Sequence, residues 1–206
     1  MTTGQDLLEL SPVMPVVVID DAGDAVPTAR ALLAGGIGVI ELTLRTPAAL
    51  AAIERVAAEV PDIVIGAGTV TAPEHAKQAA DAGAKFLVTP GCTDAVVDAC
   101  AETGLPFLPG ASTVSEAMRL AERGISALKF FPAEASGGVA YLKAIAGPLP
   151  SLRFCPTGGI TVASAPSYLA LENVGCIGGT WLTPKSAITA GNFAEIEKLA
   201  AEAAKL

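Results

Sequence analysis

Short apolar runs alternate with Ala-rich amphipathic segments along the chain. Several of the amphipathic segments end in a glycine, namely Gly36, Gly83, Gly104 and Gly124, and a run rich in β-branched or aromatic residues follows each. Glycine is favoured just after a helix because it adopts the left-handed conformation without steric cost. The pattern therefore predicts repeated strand–helix units, which are typical of parallel sheets.

Eight such units follow one another without a linker. Strands are predicted to start near Val13, Val39, Asp62, Lys85, Pro106, Ala127, Leu152 and Gly175. Helices are predicted over about 24–35, 47–59, 72–83, 93–103, 113–123, 138–146, 162–172 and 192–205, and residues 2–10 form a short extra N-terminal helix. The count favours α/β architecture with one (β/α)8 TIM barrel domain over residues 1–206, near the minimal size of that fold. A doubly wound open sheet is the alternative, because strand number alone does not force closure.

Charge and composition exclude several classes of function. The net charge is −8, from 13 basic against 21 acidic residues, and no basic run offsets it, so we expect no nucleic-acid partner. No apolar stretch is long enough to span a membrane, and Met1–Leu10 carries Asp6 and Glu9 where a leader would be basic. Four cysteines without C-x-x-C spacing and the single His75 do not form a metal site. We expect reduced thiols and a cytoplasmic location.

Two predicted strands carry a charge in their middle. Glu41 lies in the second strand and Lys129 in the sixth. Strands covered on both faces should be apolar throughout, so a charge inside one is informative. Side chains alternate along a strand, which allows the two charged groups to meet across the barrel near its C-terminal mouth, where active sites of this fold lie.

Lys129 is flanked by Leu128, Phe130 and Phe131, which predicts an apolar setting. Burial disfavours the charged form of a lysine, and the free amine can attack a carbonyl to form an imine. Glu41 would then serve as a general acid–base group. The alternative is a buried structural ion pair, which is a costly way to fill a core.

Groups suited to anions lie at the predicted strand ends. Paired glycines, Gly158-Gly159 and Gly178-Gly179, end the seventh and eighth strands, where this fold recurrently binds phosphate. Arg45 ends the second strand and is suited to bidentate capture of a carboxylate. Thr69 and Pro90 lie in the segments that end the third and fourth strands.

The chain resembles the class I 2-keto-3-deoxy-6-phosphogluconate (KDPG/KHG) aldolases. The matching pieces are Met14–Val18, Ile40–Thr46, Gly66–Val70, Val88–Gly91, Leu128–Glu134, Pro156–Gly159 and Gly178–Leu182. They occur in the family's order from about residue 11 to 200, and the Lys-Phe-Phe-Pro piece is the most telling.

The resemblance implies a homotrimeric TIM barrel that cleaves 2-keto-3-deoxy-6-phosphogluconate to pyruvate and glyceraldehyde 3-phosphate, as in the Entner–Doudoroff pathway. Lys129 would form the Schiff base and Glu41 would act with a water as acid–base group, with no cofactor and no metal. The pyruvate end would be held by Arg45, Thr69, Pro90 and Thr157. The phosphate would be held by Gly158, Gly159, Gly179 and Thr180, the last replacing the serine usual in the family.

Other activities remain open at this point. A sister aldolase could act on 4-hydroxy-2-oxoglutarate or on 2-keto-3-deoxy-6-phosphogalactonate, which differ from the first substrate away from the pyruvate end. A phosphate-binding isomerase with Glu41 as its base would leave Lys129 unexplained. A non-catalytic trimeric barrel would have no need for the charged residues Glu41, Arg45 and Lys129.

Overall fold

The β-branched and aromatic runs form parallel strands that the Ala-rich helices cover. The computed structural model describes residues 3–206. The strands it contains are β1 (Val13–Val17), β2 (Val39–Thr43), β3 (Val64–Gly68), β4 (Phe86–Val88), β5 (Phe107–Leu108), β6 (Gly110–Ala111), β7 (Ala127–Phe130), β8 (Arg153–Pro156) and β9 (Ile177–Gly179).

All strand pairs are parallel and belong to two sheets. Six strands pair in the order β5-β4-β3-β2-β1-β9, and three pair in the order β6-β7-β8. Isolated parallel bridges join Phe154 to Val174 and Thr157 to Gly178, so β8 lies beside β9. The molecule is thus a parallel α/β fold with a curled sheet, and continuous closure into a (β/α)8 barrel stays a prediction.

One predicted strand is divided in two by a proline. Pro109 separates β5 from β6, because it has no N–H to donate to a ladder. Its carbonyl still accepts from the Lys129 N–H at 2.9 Å. The chain therefore passes from the larger sheet to the smaller one at this residue.

The helices begin and end close to the predicted positions. They are α1 (Gly4–Leu7), α2 (Ala25–Ala34), α3 (Ala49–Glu59), α4 (Pro73–Asp81), α5 (Asp94–Glu102), α6 (Val114–Glu122), α7 (Gly138–Ala146), α8 (Ala165–Leu169), α9 (Lys185–Thr189) and α10 (Phe193–Ala203), with a 3₁₀ turn over Ala22–Asp24. The prediction missed α9, made α8 too long and made the N-terminal helix too long. The first residue of that predicted helix, Thr2, lies outside the described residues.

The N-terminal segment covers the end of the strands opposite the predicted site. Gln5 in α1 donates to the Ser126 hydroxyl at 3.0 Å, and Arg153 at the start of β8 pairs with Glu9 at 3.0 Å. These contacts lie where the strands begin, so the strand ends at the other side remain available for a ligand. Within residues 3–206, no helix is both long and apolar enough to cross a membrane.

Candidate active site

Glu41 and Lys129 meet inside the fold, as their positions in the strands predict. The Lys129 Nζ lies 3.1 Å from Glu41 Oε1 and 3.4 Å from Oε2. The side chains are 5% and 2% exposed, and the ammonium also lies 5.7 Å from the centre of the Phe131 ring. A proton can pass directly between the amine and the carboxylate at this separation.

Two glycines in β3 make space for buried side chains, Gly68 for Glu41 and Gly66 for the Phe86 ring. A Cβ on Gly68 would lie 2.0 Å from Glu41 Oε1, and one on Gly66 would lie 2.3 Å from the Phe86 ring. Real Cβ contacts are essentially never that short. The carboxylate of Glu41 therefore occupies volume that a side chain at position 68 would fill.

Arg45 lies at the mouth above this pair. It follows β2 by two residues, is exposed, and donates from its Nε to the Thr69 hydroxyl at 3.1 Å. Thr69 has a left-handed backbone with φ of 61°, which is costly for a β-branched residue. The hydrogen bond orients the guanidinium edge while its remaining N–H groups can still receive a carboxylate.

A cavity of about 200 Å³ connects the lysine to the Gly158-Gly159 loop. Its lining consists of Val16, Arg45, Lys129, Phe131, Thr157, Gly158, Gly159, Ile160, Gly178 and Thr180. A larger cavity of about 390 Å³ lies at the opposite end, between α1 and the starts of β5 and β7, but no ionisable side chain lines it. Because Lys129 and Arg45 line the smaller cavity, we take that cavity as the candidate active site.

The Gly158-Gly159 loop presents backbone donors to this cavity. The two glycines have φ of 103° and 80°, in the left-handed region that favours glycine. Across residues 3–206, no protein acceptor takes a hydrogen bond from the N–H of Gly158, Gly159 or Ile160. Three consecutive free donors on the wall of a cavity are suited to an anion.

The structure brings together most of the predicted site residues. Arg45, Lys129, Thr157, Gly158, Gly159 and Thr180 line the cavity, while Glu41 and Thr69 contact lining residues through their hydrogen bonds. Pro90 follows β4 outside the lining, and its backbone packs against Gly110.

The two glycines of the second pair, Gly178 and Gly179, do not both line the cavity as predicted. Gly178 lines the cavity, and a Cβ there would lie 2.1 Å from Thr157 Oγ1. Gly179 does not line it, since a Cβ at Gly179 would meet Trp181 and Val13. Gly178 was predicted only as a member of the glycine pair, and Val16, Phe131 and Ile160 are lining residues that the sequence prediction did not assign to the site. Alternation along β9 would have identified Gly178 once one inward residue was known.

Two thiols lie beneath the cavity. Cys155 pairs with Lys129 in the ladder between β7 and β8, and its Sγ lies 3.9 Å from Thr157 Oγ1. A hydrogen bond from Cys176 and the nearby Lys129 charge lower the pKa of Cys155, whereas the same hydrogen bond and burial raise the pKa of Cys176.

Among the described residues, no group of three or more His, Cys, Asp or Glu side chains could hold a metal ion.

Comparison with known proteins identifies the family of this chain. A family model described as KDPG and KHG aldolase matches residues 5–199. The chain belongs to this aldolase family. Its members are lyases, and Lys129, Glu41 and Arg45 all fall within the matched region.

Relatives of the aldolase family cover almost all of the chain. The KHG/KDPG aldolase of Escherichia coli K12 is 50% identical over 202 residues, which are 98% of this chain and 95% of that protein. A crystal structure of KDPG aldolase from Legionella pneumophila, with pyruvate captured at low pH as a covalent carbinolamine, is 44% identical, with a TM-score of 0.96 and 98% of each chain covered. The Zymomonas mobilis ZM4 enzyme with 3-phosphoglycerate is 44% identical, with a TM-score of 0.92, and covers 98% of this chain and 94% of its own.

Proposed function

We propose that this protein is a Schiff-base aldolase that cleaves 2-keto-3-deoxy-6-phosphogluconate to pyruvate and glyceraldehyde 3-phosphate. The observation that carries the proposal is the buried Lys129–Glu41 pair at the inner end of a cavity with anion donors. The covalent pyruvate adduct in the Legionella relative is the carbinolamine that such a lysine forms. The 3-phosphoglycerate in the Zymomonas relative supports a phosphorylated substrate.

The first chemical steps follow from the distance between Lys129 and Glu41. The carboxylate accepts a proton from the ammonium at 3.1 Å, and the free amine attacks the C2 carbonyl of the substrate. Glu41, with a water, then protonates the departing hydroxyl of the carbinolamine. Loss of water leaves a protonated imine between Lys129 and C2.

The imine then takes up the electrons of the bond that breaks. As C3–C4 cleaves, the C4 hydroxyl gives its proton to Glu41 and leaves as the aldehyde of glyceraldehyde 3-phosphate. The electron pair moves to the lysine-bound three-carbon fragment as an enamine. Protonation at C3 and hydrolysis of the imine release pyruvate and the free lysine, and no cofactor or metal enters any step.

The remaining site residues hold the two ends of the substrate. Arg45, oriented by Thr69, would bind the pyruvate carboxylate, with Pro90 and Thr157 at the same end. The free N–H groups of the Gly158-Gly159 loop and the hydroxyl of Thr180 would bind the phosphate, with Gly179 adjoining it in the chain. In a chain of net charge −8, an anionic substrate needs such local attraction.

We also propose a closed barrel, a trimeric assembly and a cytoplasmic location. The eight strand positions would close into one (β/α)8 barrel over residues 1–206, which the bridge between Thr157 and Gly178 supports. Three copies would form a homotrimer, as the resemblance to the family implies. The free cysteines suit a reducing cytoplasmic location.

Trapping with pyruvate and borohydride tests the proposal. Reduction of the imine leaves a stable adduct, which peptide mass spectrometry should locate on Lys129. Lys129→Met should abolish the adduct, while Lys85→Met, which alters an exposed lysine beside β4, should retain it. No adduct, or an adduct on another lysine, would overturn the mechanism.

A second candidate substrate is 4-hydroxy-2-oxoglutarate, because the Escherichia coli relative carries both substrates in its name. It shares the pyruvate end and lacks the phosphate. If the glycine loop binds phosphate, kcat/KM should be higher for the phosphorylated substrate. Equal kcat/KM values for the two substrates would show that the enzyme cleaves both 4-hydroxy-2-oxoglutarate and the phosphosugar acid without preferring the phosphate.

A further inference from the structure

We propose that Tyr168 and Glu134 are positioning residues that fix the Gly158-Gly159 loop for the phosphate end of the substrate. Neither residue lines the cavity, so neither would touch the substrate. Tyr168 lies in α8, the helix that follows the loop, and Glu134 lies in the segment between β7 and α7, which packs against the loop. The inference rests on the proposed function, because it concerns how the same site prefers a phosphorylated substrate.

Glu134 contacts the loop from behind through both its backbone and its side chain. Its N–H donates to the Gly158 carbonyl at 3.1 Å. Its Cβ and Cγ lie against Gly159 so closely that a Cβ on this glycine would come within 2.8 Å of both. The orientation of the loop donors therefore depends on where the Glu134 side chain lies.

Tyr168 holds that side chain in place. The Tyr168 hydroxyl donates to Glu134 Oε1 at 2.7 Å, and the tyrosine is fully buried although the glutamate is exposed. Burial, followed by the bond to the carboxylate, raises the pKa of Tyr168, so the hydroxyl remains a donor at physiological pH. Gly138 leaves the room for this contact, because a Cβ there would lie 3.0 Å from Tyr168 Oη.

The loop needs such support because the backbone of two consecutive glycines is flexible. Glycines reach many backbone conformations, so an unsupported Gly-Gly segment would lose entropy when an anion orders it. The Tyr168–Glu134 bond spans 34 positions and connects the helix that follows the loop to the segment after β7, whose backbone also bonds to the loop. Preorganised donors bind the phosphate without that cost.

The test compares Tyr168→Phe with the matched control Tyr141→Phe. Tyr141 is the other tyrosine in the chain, its ring stacks on Phe130, and its hydroxyl has no hydrogen bond among residues 3–206. Steady-state kinetics with 2-keto-3-deoxy-6-phosphogluconate and with the same sugar acid lacking the phosphate give the decisive ratio. In Tyr168→Phe, KM for the phosphorylated substrate should rise about three- to tenfold, the factor that one hydrogen bond is worth. In the same variant, KM for the unphosphorylated substrate and kcat for both substrates should change less than about twofold. Tyr141→Phe should have the kinetic constants of the wild type.

Glu134 variants keep the inference testable if the buried tyrosine substitution impairs folding. Glu134→Ala should raise the same KM, while Glu134→Gln, which keeps an oxygen acceptor for Tyr168, should restore it. Equal losses for both substrates, or no change in Glu134→Ala, would overturn the positioning role. Pyruvate trapping on Lys129 should proceed as in the wild type in all these variants, and its absence in the wild type itself would instead overturn the proposed function.

Discussion

Gly68→Ala should inactivate the enzyme by displacing Glu41 without removing any functional group. The new Cβ would lie 2.0 Å from Glu41 Oε1, and ordinary contact begins at 3.4 Å, so the oxygen must retreat by about 1.4 Å. A movement of that size breaks the 3.1 Å contact with Lys129 Nζ. Misplacement of a reacting group by about 1 Å can cost about 100-fold in rate, and we expect a loss of kcat of that order. Overpacking should also lower the free energy of unfolding by about 1–3 kcal/mol.

The assay follows pyruvate release with lactate dehydrogenase, alongside the rate of borohydride trapping. Gly38→Ala is the matched control, because it adds the same methyl just before β2 at a position with nothing within 4 Å. Its kcat should equal that of the wild type. If Gly68→Ala kept kcat within about twofold of the control, the reasoning would be refuted. Either Glu41 would not be the acid–base group, or catalysis would not depend on the present position of its carboxylate.

Three further predictions concern the carboxylate site, the thiols and a helix cap. Arg45→Lys keeps the charge but loses the planar fork, so KM for pyruvate in the condensation direction should rise about tenfold, and an unchanged KM would argue against carboxylate capture. Cys92 is half-buried while the other three cysteines are buried, so at pH 8 a disulfide reagent should modify Cys92 first in the native protein. Burial raises the pKa of Cys100 to about 11, so its modification should quicken as pH rises towards 11; rapid native reaction of the buried thiols at pH 8 would contradict this. Thr113→Ala removes the side-chain cap of α6 and should cost about 1 kcal/mol in urea unfolding, whereas the exposed Ser115→Ala should cost little; similar losses would refute the cap.

Local signals explain which elements the sequence predicts well. Helix α7 spans the predicted residues 138–146, and strands β1, β2 and β7 begin at Val13, Val39 and Ala127 as predicted. Helix-ending glycines and changes of hydrophobic period are properties of neighbouring residues, so they can be read without the fold. The five-residue α9 was missed because a segment that short has too few turns to show a helical period.

The site was predictable where charge made a residue conspicuous. Glu41 and Lys129 lie 88 positions apart, yet a charge within an apolar strand marks each of them separately. Gly68 has no such mark, since its importance comes from the Glu41 side chain that approaches it from β2, and the Gly178-Gly179 pair does not show by itself which of its members faces the cavity. Which glycine of a pair faces inward depends on strand register, and register is fixed only when the strands assemble.

The pairing of β1 with β9 has a consequence for how the chain folds as it is made. Val13 pairs with Ile177, so one edge of the first strand has no native partner until β9 has left the ribosome. Such distant contacts slow folding, and an unpaired apolar edge is prone to aggregate in the meantime. We therefore expect nascent chains that end before β9 to depend on chaperones, and the yield of active enzyme to fall when synthesis stalls before the codons of β9.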